Sequence, residues 1–347
     1  MYVLISIILF GILIAVHEFG HFITAKLFGV KVREFAIGMG PLLFKKQGEE
    51  TLYSLRLLPI GGYCAMEGED EESEDPRSFS AQHPLKKAAI LTAGAAMNFL
   101  FGLILLLAVF LYSAPQTTEI TRFMDGCPYE GEQALMIGDE FYKIDGHRIY
   151  AVDDISAYLR QGGDVHDITV RRDGKLVTIE DITITLREYA EADGLRYGFY
   201  FEARADGLFD MLRYTWYTAM NFTGIVWDSM KSFASGLYGV NDLSGVVGIV
   251  GVMNDLGQDS DSFAVGLINV LHFAALIAVN LAVMNLLPFP ALDGGRIFFL
   301  IVLWPIEKIL GHKLNPKYEG YIHTVGLVLL MALMVYVMFT DVLRMVG

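Results

Sequence analysis

The run His17-Glu18-Phe19-Gly20-His21 puts two imidazoles four residues apart. On a helix such positions share one face, so both rings can reach a single Zn²⁺. Glu18 falls on the adjoining face, close enough to take a proton from a water held at that ion. The preceding residues 3–16 carry no charge, and apolar residues resume at Phe22 and Ile23. Imidazoles and a carboxylate are expensive at bilayer depth, which makes the cluster a functional site by default. The competing reading is a chance pattern whose histidines serve a helix–helix contact. It suits a soluble helix better than an apolar one.

A hydrolytic zinc site takes three protein ligands and leaves one position open. The strongest third donor is Asp293, in Asn285-Leu286-Leu287-Pro288-Phe289-Pro290-Ala291-Leu292-Asp293-Gly294-Gly295. Pro288 and Pro290 stop a helix and force an extended run, while Gly294 and Gly295 permit close backbone approach. Asp293 also has a simpler use, as the N-cap of a helix starting near Gly294. Asn285 could donate to a developing oxyanion or orient the attacking water, or else make an ordinary interhelical hydrogen bond. His272 and His323, in later apolar runs, read as core or interface histidines.

These groups have to be held by membrane elements. Four stretches, at about 3–28, 88–114, 263–287 and 321–339, are long and apolar enough to cross a core of roughly 30 Å. Lys26, Lys31 and Arg33 follow the first stretch, Lys86 and Lys87 precede the second, and Arg296, Lys308, Lys313 and Lys317 separate the third from the fourth. With these flanks in the cytoplasm, the N-terminus and residues 115–262 lie outside. Arg344, in the outside tail 340–347, is a minor dissent. Residues 30–66 read as β-like, punctuated by Gly38, Gly40, Pro41, Gly61 and Gly62. So short and apolar a sheet packs on the helices or dips into the membrane, where it must be covered by protein or line a polar cavity. Residues 118–186 read as a small mixed domain. Arg172-Asp173-Gly174 marks a hairpin there, and 153–160 suits a short helix. The aromatic stretch 208–238 fits an interfacial amphipathic helix better than a fifth span.

Composition agrees. The 347 residues are 54% hydrophobic, with a mean hydropathy of +0.43, as expected of a membrane protein with a modest extramembrane part. A net charge of −14 argues against a nucleic-acid partner. Glu67, Glu69, Asp70, Glu71, Glu72, Glu74 and Asp75 form an acidic, solvated loop, and a second acidic excess covers 119–206. Cys64 and Cys127 fall on opposite sides of this topology, so no disulfide is expected between them, and neither has zinc-thiolate spacing. No Lys or Arg precedes the first apolar run and no small-x-small site follows it, so it is expected to be an uncleaved first transmembrane helix.

An intramembrane HExxH with an NxxPxPxLDGG-type segment resembles the site-2 proteases, the intramembrane zinc metalloproteases, and most closely the bacterial regulator-of-sigma-E protease subgroup. Phe35-Ala36-Ile37-Gly38-Met39-Gly40-Pro41, Leu58-Pro59-Ile60-Gly61-Gly62-Tyr63, Asp75-Pro76-Arg77-Ser78-Phe79 and Leu243-Ser244-Gly245-Val246-Val247-Gly248-Ile249 extend the resemblance over nearly the whole chain. It implies His17, His21 and Asp293 as Zn²⁺ ligands, Glu18 as general base and Asn285 as transition-state stabiliser. Residues 137–146 look like the GD-x-I-x-x-I-(N/D)-G stretch of a single extracytoplasmic PDZ domain. The β-like segment looks like the family's membrane-associated sheet, which pairs with an unwound substrate strand. There are departures too. Gly94-Ala95-Ala96-Met97-Asn98 lacks the family's proline, and Gly245-Val246 replaces Gly-Pro.

The implied fold is a polytopic α-helical membrane protein with about four transmembrane helices, a membrane-associated β-sheet after the first helix and an extracytoplasmic α+β PDZ-like domain. Its parts are a membrane half at 1–114, a PDZ domain at 115–206, an interfacial connector at 207–262 and a second membrane half at 263–347. The expected setting is the lipid bilayer of a bacterial inner membrane. Single-span membrane proteins, such as anti-sigma factors or remnant signal peptides, would be the substrates. Two alternatives stand beside it. One is a membrane-anchored HExxH peptidase acting on exposed chains, which leaves the Asn285–Gly295 motif without a use. The other is a catalytically silent, PDZ-bearing membrane scaffold.

Overall fold

The structure is a computed structural model describing residues 1–69, 73–131, 134–161, 163–204, 207–237, 239, 243–310 and 316–346. Asp70, Glu71 and Glu72 of the acidic run, Asp206, Tyr238 and Lys313 lie outside the described residues, as do the side chains of Lys308 and Lys317. The chain forms two compact units, Met1–Leu105 with Val226–Gly347, and Leu106–Ile225.

The first unit opens with α1 (Tyr2–Leu27), whose 26 residues span about 39 Å at 1.5 Å per residue. A sheet of β1 (Val32–Gln47) and β2 (Leu52–Met66) follows, then α2 (Pro84–Tyr112). Four helical stretches among the described residues are long and apolar enough to cross a membrane: Tyr2–Leu27, Pro84–Tyr112, Phe263–Asn285 and Gly320–Arg344. These are the four expected from the sequence.

The two long strands fold back on themselves. Val32 pairs with Met66, and Gln47 with Leu52, while the stretch from Glu34 to Ile37 has partners on both sides, residues 62–65 and 52–55. Segment 34–37 is therefore interior to the sheet, and 62–66 and 42–47 are its edges. Gly38 and Gly40 sit at φ 83° and 82°, which lets β1 turn sharply enough for this double hairpin. Met39, Leu42, Leu43, Phe44, Leu57 and Leu58 are exposed on it, an apolar rim that water would not favour. On the other side Val32, Cys64 and Met66 pack with Ala25, Ile90 and Leu91 from α1 and α2.

In the second unit β3 (Gln116–Phe123), β4 (Glu140–Ile144), β5 (His147–Arg148), β6 (Val165–Arg172), β7 (Lys175–Thr183) and β10 (Phe199–Ala203) build a six-stranded sheet. Its order is β10-β3-β4-β6-β7, with β5 beside β4. A separate pair is formed by β8 (Arg187–Tyr189) and β9 (Ala192–Arg196). Helix α3 (Val152–Gln161) buries Ile155 and Leu159 in a core with Ile120, Phe141, Ile144 and Ile168. The Arg172-Asp173-Gly174 signal closes the β6–β7 hairpin. α4 (Leu208–Ala234) covers most of the aromatic stretch 208–238 as one helix and is not among the four candidate spans. α5 (Val246–Gln258), α6 (Phe263–Asn285), α7 (Asp293–Leu310) and α8 (Pro316–Val346) complete the chain.

Candidate metal centre

α1 carries His17 and His21 into the first unit, and their placement depends on close helix approach. A Cβ built on Gly20 would overlap the backbone of Ala93 and Gly94 on α2. One built on Gly94 would stand 2.7 Å from Cε1 of both His17 and His21. Both glycines are thus gaps that let α2 lie against the two rings.

Asp293 arrives from the far end of the sequence, at the first residue of α7. Its Oδ2 is 3.2 Å from His17 Nε2 and 3.3 Å from His21 Nε2, and the two Nε2 atoms are 3.2 Å apart. A tetrahedral zinc bound at about 2.0–2.1 Å separates its donors by roughly 3.3–3.4 Å, so this near-equilateral triangle has the size the ion requires. Among the described residues this is the one group of three or more His, Cys, Asp or Glu whose donor atoms converge in this way. His272 and His323 are not part of it.

Hydrogen bonds set the rings. His21 Nδ1 lies 2.9 Å from the Ile90 carbonyl, so that nitrogen carries the proton and Nε2 turns its lone pair to the triangle. Asn285 closes α6 with its amide 3.4 Å from His17 Nδ1. The Asn285 atom nearest that ring nitrogen is the side-chain amide Nδ2. Asn285 therefore orients a ring of the cluster, in addition to any role toward substrate.

Glu18 faces the sheet. A Cβ on Gly62 would stand 3.2 Å from its Cγ. The sheet's 62–66 edge therefore runs beside Glu18, an arrangement that HExxH spacing alone does not contain. Below the sheet Arg33 donates to Glu67 at 2.7 and 2.5 Å. These bonds, with a further one from Ser73, hold the Glu67 carboxyl down to about 2. Glu69 accepts from Arg296 on the first turn of α7 at 2.6 Å and from the Met66 N–H at 3.3 Å. The end of the edge strand and the helix that starts at Asp293 are thereby tied to one carboxylate.

Sequence reasoning named His17, Glu18, His21, Asn285 and Asp293, and all five meet here. It did not single out Gly62 as a gap for Glu18 or the Ile90 carbonyl as the brace of His21. A backbone acceptor leaves no mark in residue type, whereas Gly62 stood in the glycine cluster already noted.

Residues 5–333 match Peptidase family M50. A protein of Clostridium perfringens named as a zinc metalloprotease is 35% identical over 345 residues, covering 99% of each chain. One of Fusobacterium nucleatum with the same kind of name is 34% identical over 346 residues, covering 99% of this chain and 98% of its own. The regulator of sigma-W protease RasP of Bacillus subtilis is 25% identical over 426 residues, covering 99% of this chain and 98% of its own.

Proposed function

We propose that this chain, which belongs to peptidase family M50, cleaves single-span membrane proteins within or beside their transmembrane segments. It is a zinc metalloendopeptidase of the site-2 protease kind and a multi-pass membrane protein. The observation that carries the proposal is the donor triangle of His17, His21 and Asp293, with both histidines on a helix apolar enough to cross a bilayer.

In this reading the three donors hold Zn²⁺, which when bound supplies Lewis acidity toward a peptide carbonyl and a water. Glu18 takes the proton of the attacking water at its carboxylate and returns it to the leaving amine. Asn285 and the Ile90 carbonyl keep the two imidazoles in register. A helical substrate hides its carbonyls, so it has to unwind, and the 62–66 edge beside Glu18 offers backbone partners for an extended strand. Residues 115–206 are a PDZ module outside the cytoplasm, with the N-terminus on the same side. The substrate class is anti-sigma factors or remnant signal peptides, in keeping with the name of the Bacillus subtilis relative.

The test is wild type against Glu18→Gln, purified in detergent and assayed for bound zinc and for cleavage of a single-span substrate. The expected result is one zinc per chain in both, with cleavage reduced about 10³-fold or more in the variant. Turnover retained in Glu18→Gln removes Glu18 from its role, and absence of zinc from both moves the reading to a silent scaffold.

A further inference from the structure

The segment that delivers Asp293 is strained where it turns. Ala291, two residues before the aspartate, sits at φ 80°, a region that a residue with a Cβ enters at a cost of order 1–3 kcal/mol and keeps only when its surroundings enforce it. Pro288 and Pro290 have no N–H to give, and the backbone bonds of the turn run from Phe289 to Leu287, from Leu292 to Phe289 and from Gly295 to Leu292. The Ala291 N–H goes instead to a side chain: it donates to Nδ1 of His323 on α8 at 3.1 Å.

His323 is held for this task. Its ring packs edge-on against Phe299 of α7, centroids 5.5 Å apart. One turn along α8, Gly326 receives Pro290 in the space a Cβ would fill. The loop is thus gripped from α8 at two successive residues, Pro290 by shape and Ala291 by a hydrogen bond. In a bilayer no water stands ready to replace a lost acceptor, so the bond weighs more than on a soluble surface.

We propose that His323 is a positioning residue for the metal centre: by accepting the Ala291 N–H it holds the left-handed turn that sets the Asp293 carboxylate against His17 and His21. This rests on Asp293 being a zinc ligand. His323 itself does not coordinate and does not touch substrate. Loosening the turn releases one of three donors while the two histidines stay in place on α1.

The experiment uses the full chain in detergent and reads the rate of zinc release to a chelator and the absorption of the Co²⁺-substituted protein, alongside kcat and KM. His323→Leu, which cannot accept, is expected to release zinc about 10–100-fold faster and to lose kcat with little change in KM. His323→Asn keeps an acceptor near the Nδ1 position and should stay within about threefold of wild type on the same scale. Adding Ala291→Gly to His323→Leu should recover most of the loss, because glycine adopts the turn unaided. Should His323→Leu not fold, His323→Lys, which donates but cannot accept, takes its place with the same expectation. Wild-type release from His323→Leu, equal losses in the Leu and Asn variants, or no recovery by Ala291→Gly would each overturn the proposal. Asp293→Ala separates the two layers. Zinc retained in that variant defeats the ligand reading, whereas zinc lost there and kept in His323→Leu defeats only the role of His323.

Discussion

The two units of this molecule hold their shape by opposite means. In the sheet unit Ile120, Phe141, Ile144, Ile168 and Val170 share an apolar core, where burial of apolar surface is the main stabilising term. Around the metal centre the critical contacts are absences: Gly20 against Ala93, Gly94 against both imidazoles, Gly62 against Glu18, Gly326 against Pro290. Helices in lipid gain little by hiding apolar side chains from one another, so small residues and polar bonds decide how close they come. The sheet unit is vulnerable to atoms removed, and the metal centre to atoms added.

The sharpest test of that contrast adds atoms at Gly94. Its missing Cβ is what lets α2 lie against His17 and His21, so Gly94→Val must displace at least one ring from the triangle. Zinc stoichiometry is expected to fall well below one per chain and cleavage by about 10²-fold or more, the scale of a misplaced catalytic geometry. The exchange protection of residues 116–203 should be unchanged. A Gly94→Val protein with full zinc would mean that the helices can part without harm, and the contrast would fail.

The converse removes atoms. Phe141 is 1% exposed at the centre of the sheet core, and Phe141→Ala is expected to destabilise that unit by about 3–5 kcal/mol. Protease digestion should then cut within 116–203 at temperatures where wild type resists, with the zinc content of the chain unchanged. Loss of zinc in this variant would show that the two units do not stand independently.

How much of this could be read beforehand follows the same division. The three side chains that converge were legible because ionisable groups in an apolar run are conspicuous: His17 and His21 by spacing, Asp293 by its place after Pro288 and Pro290. The four spans were legible by length and apolar composition. The double hairpin was not, since a β-like reading of 30–66 does not say that segment 34–37 pairs on both sides. Nor was the work of His323, whose partner is a backbone N–H strained by a local turn. Residue type reports chemistry, whereas gaps and backbone partners come into being only when distant segments meet.

The smallest expected effect lies at the Arg33–Glu67 clamp, where charge rather than packing is at stake. Glu67 titrates near 2 in the folded chain against an ordinary 4.5, first because Arg33 donates two hydrogen bonds to its carboxylate and then because Ser73 adds a third. A depressed folded value means that the unfolded chain binds the proton first. The clamp's contribution is therefore complete above about pH 4.5 and is lost as pH falls toward 2. Glu67→Gln lacks this contribution at every pH. The stability gap between wild type and Glu67→Gln, followed by thermal unfolding, should be widest at neutral pH and close between pH 5 and 2. It will be modest, because the Arg33 side chain is 56% exposed and solvent screens the pair. A gap that stays constant with pH would assign the role of Glu67 to the shape of the loop, and the clamp would then join the metal centre as a feature held by fit.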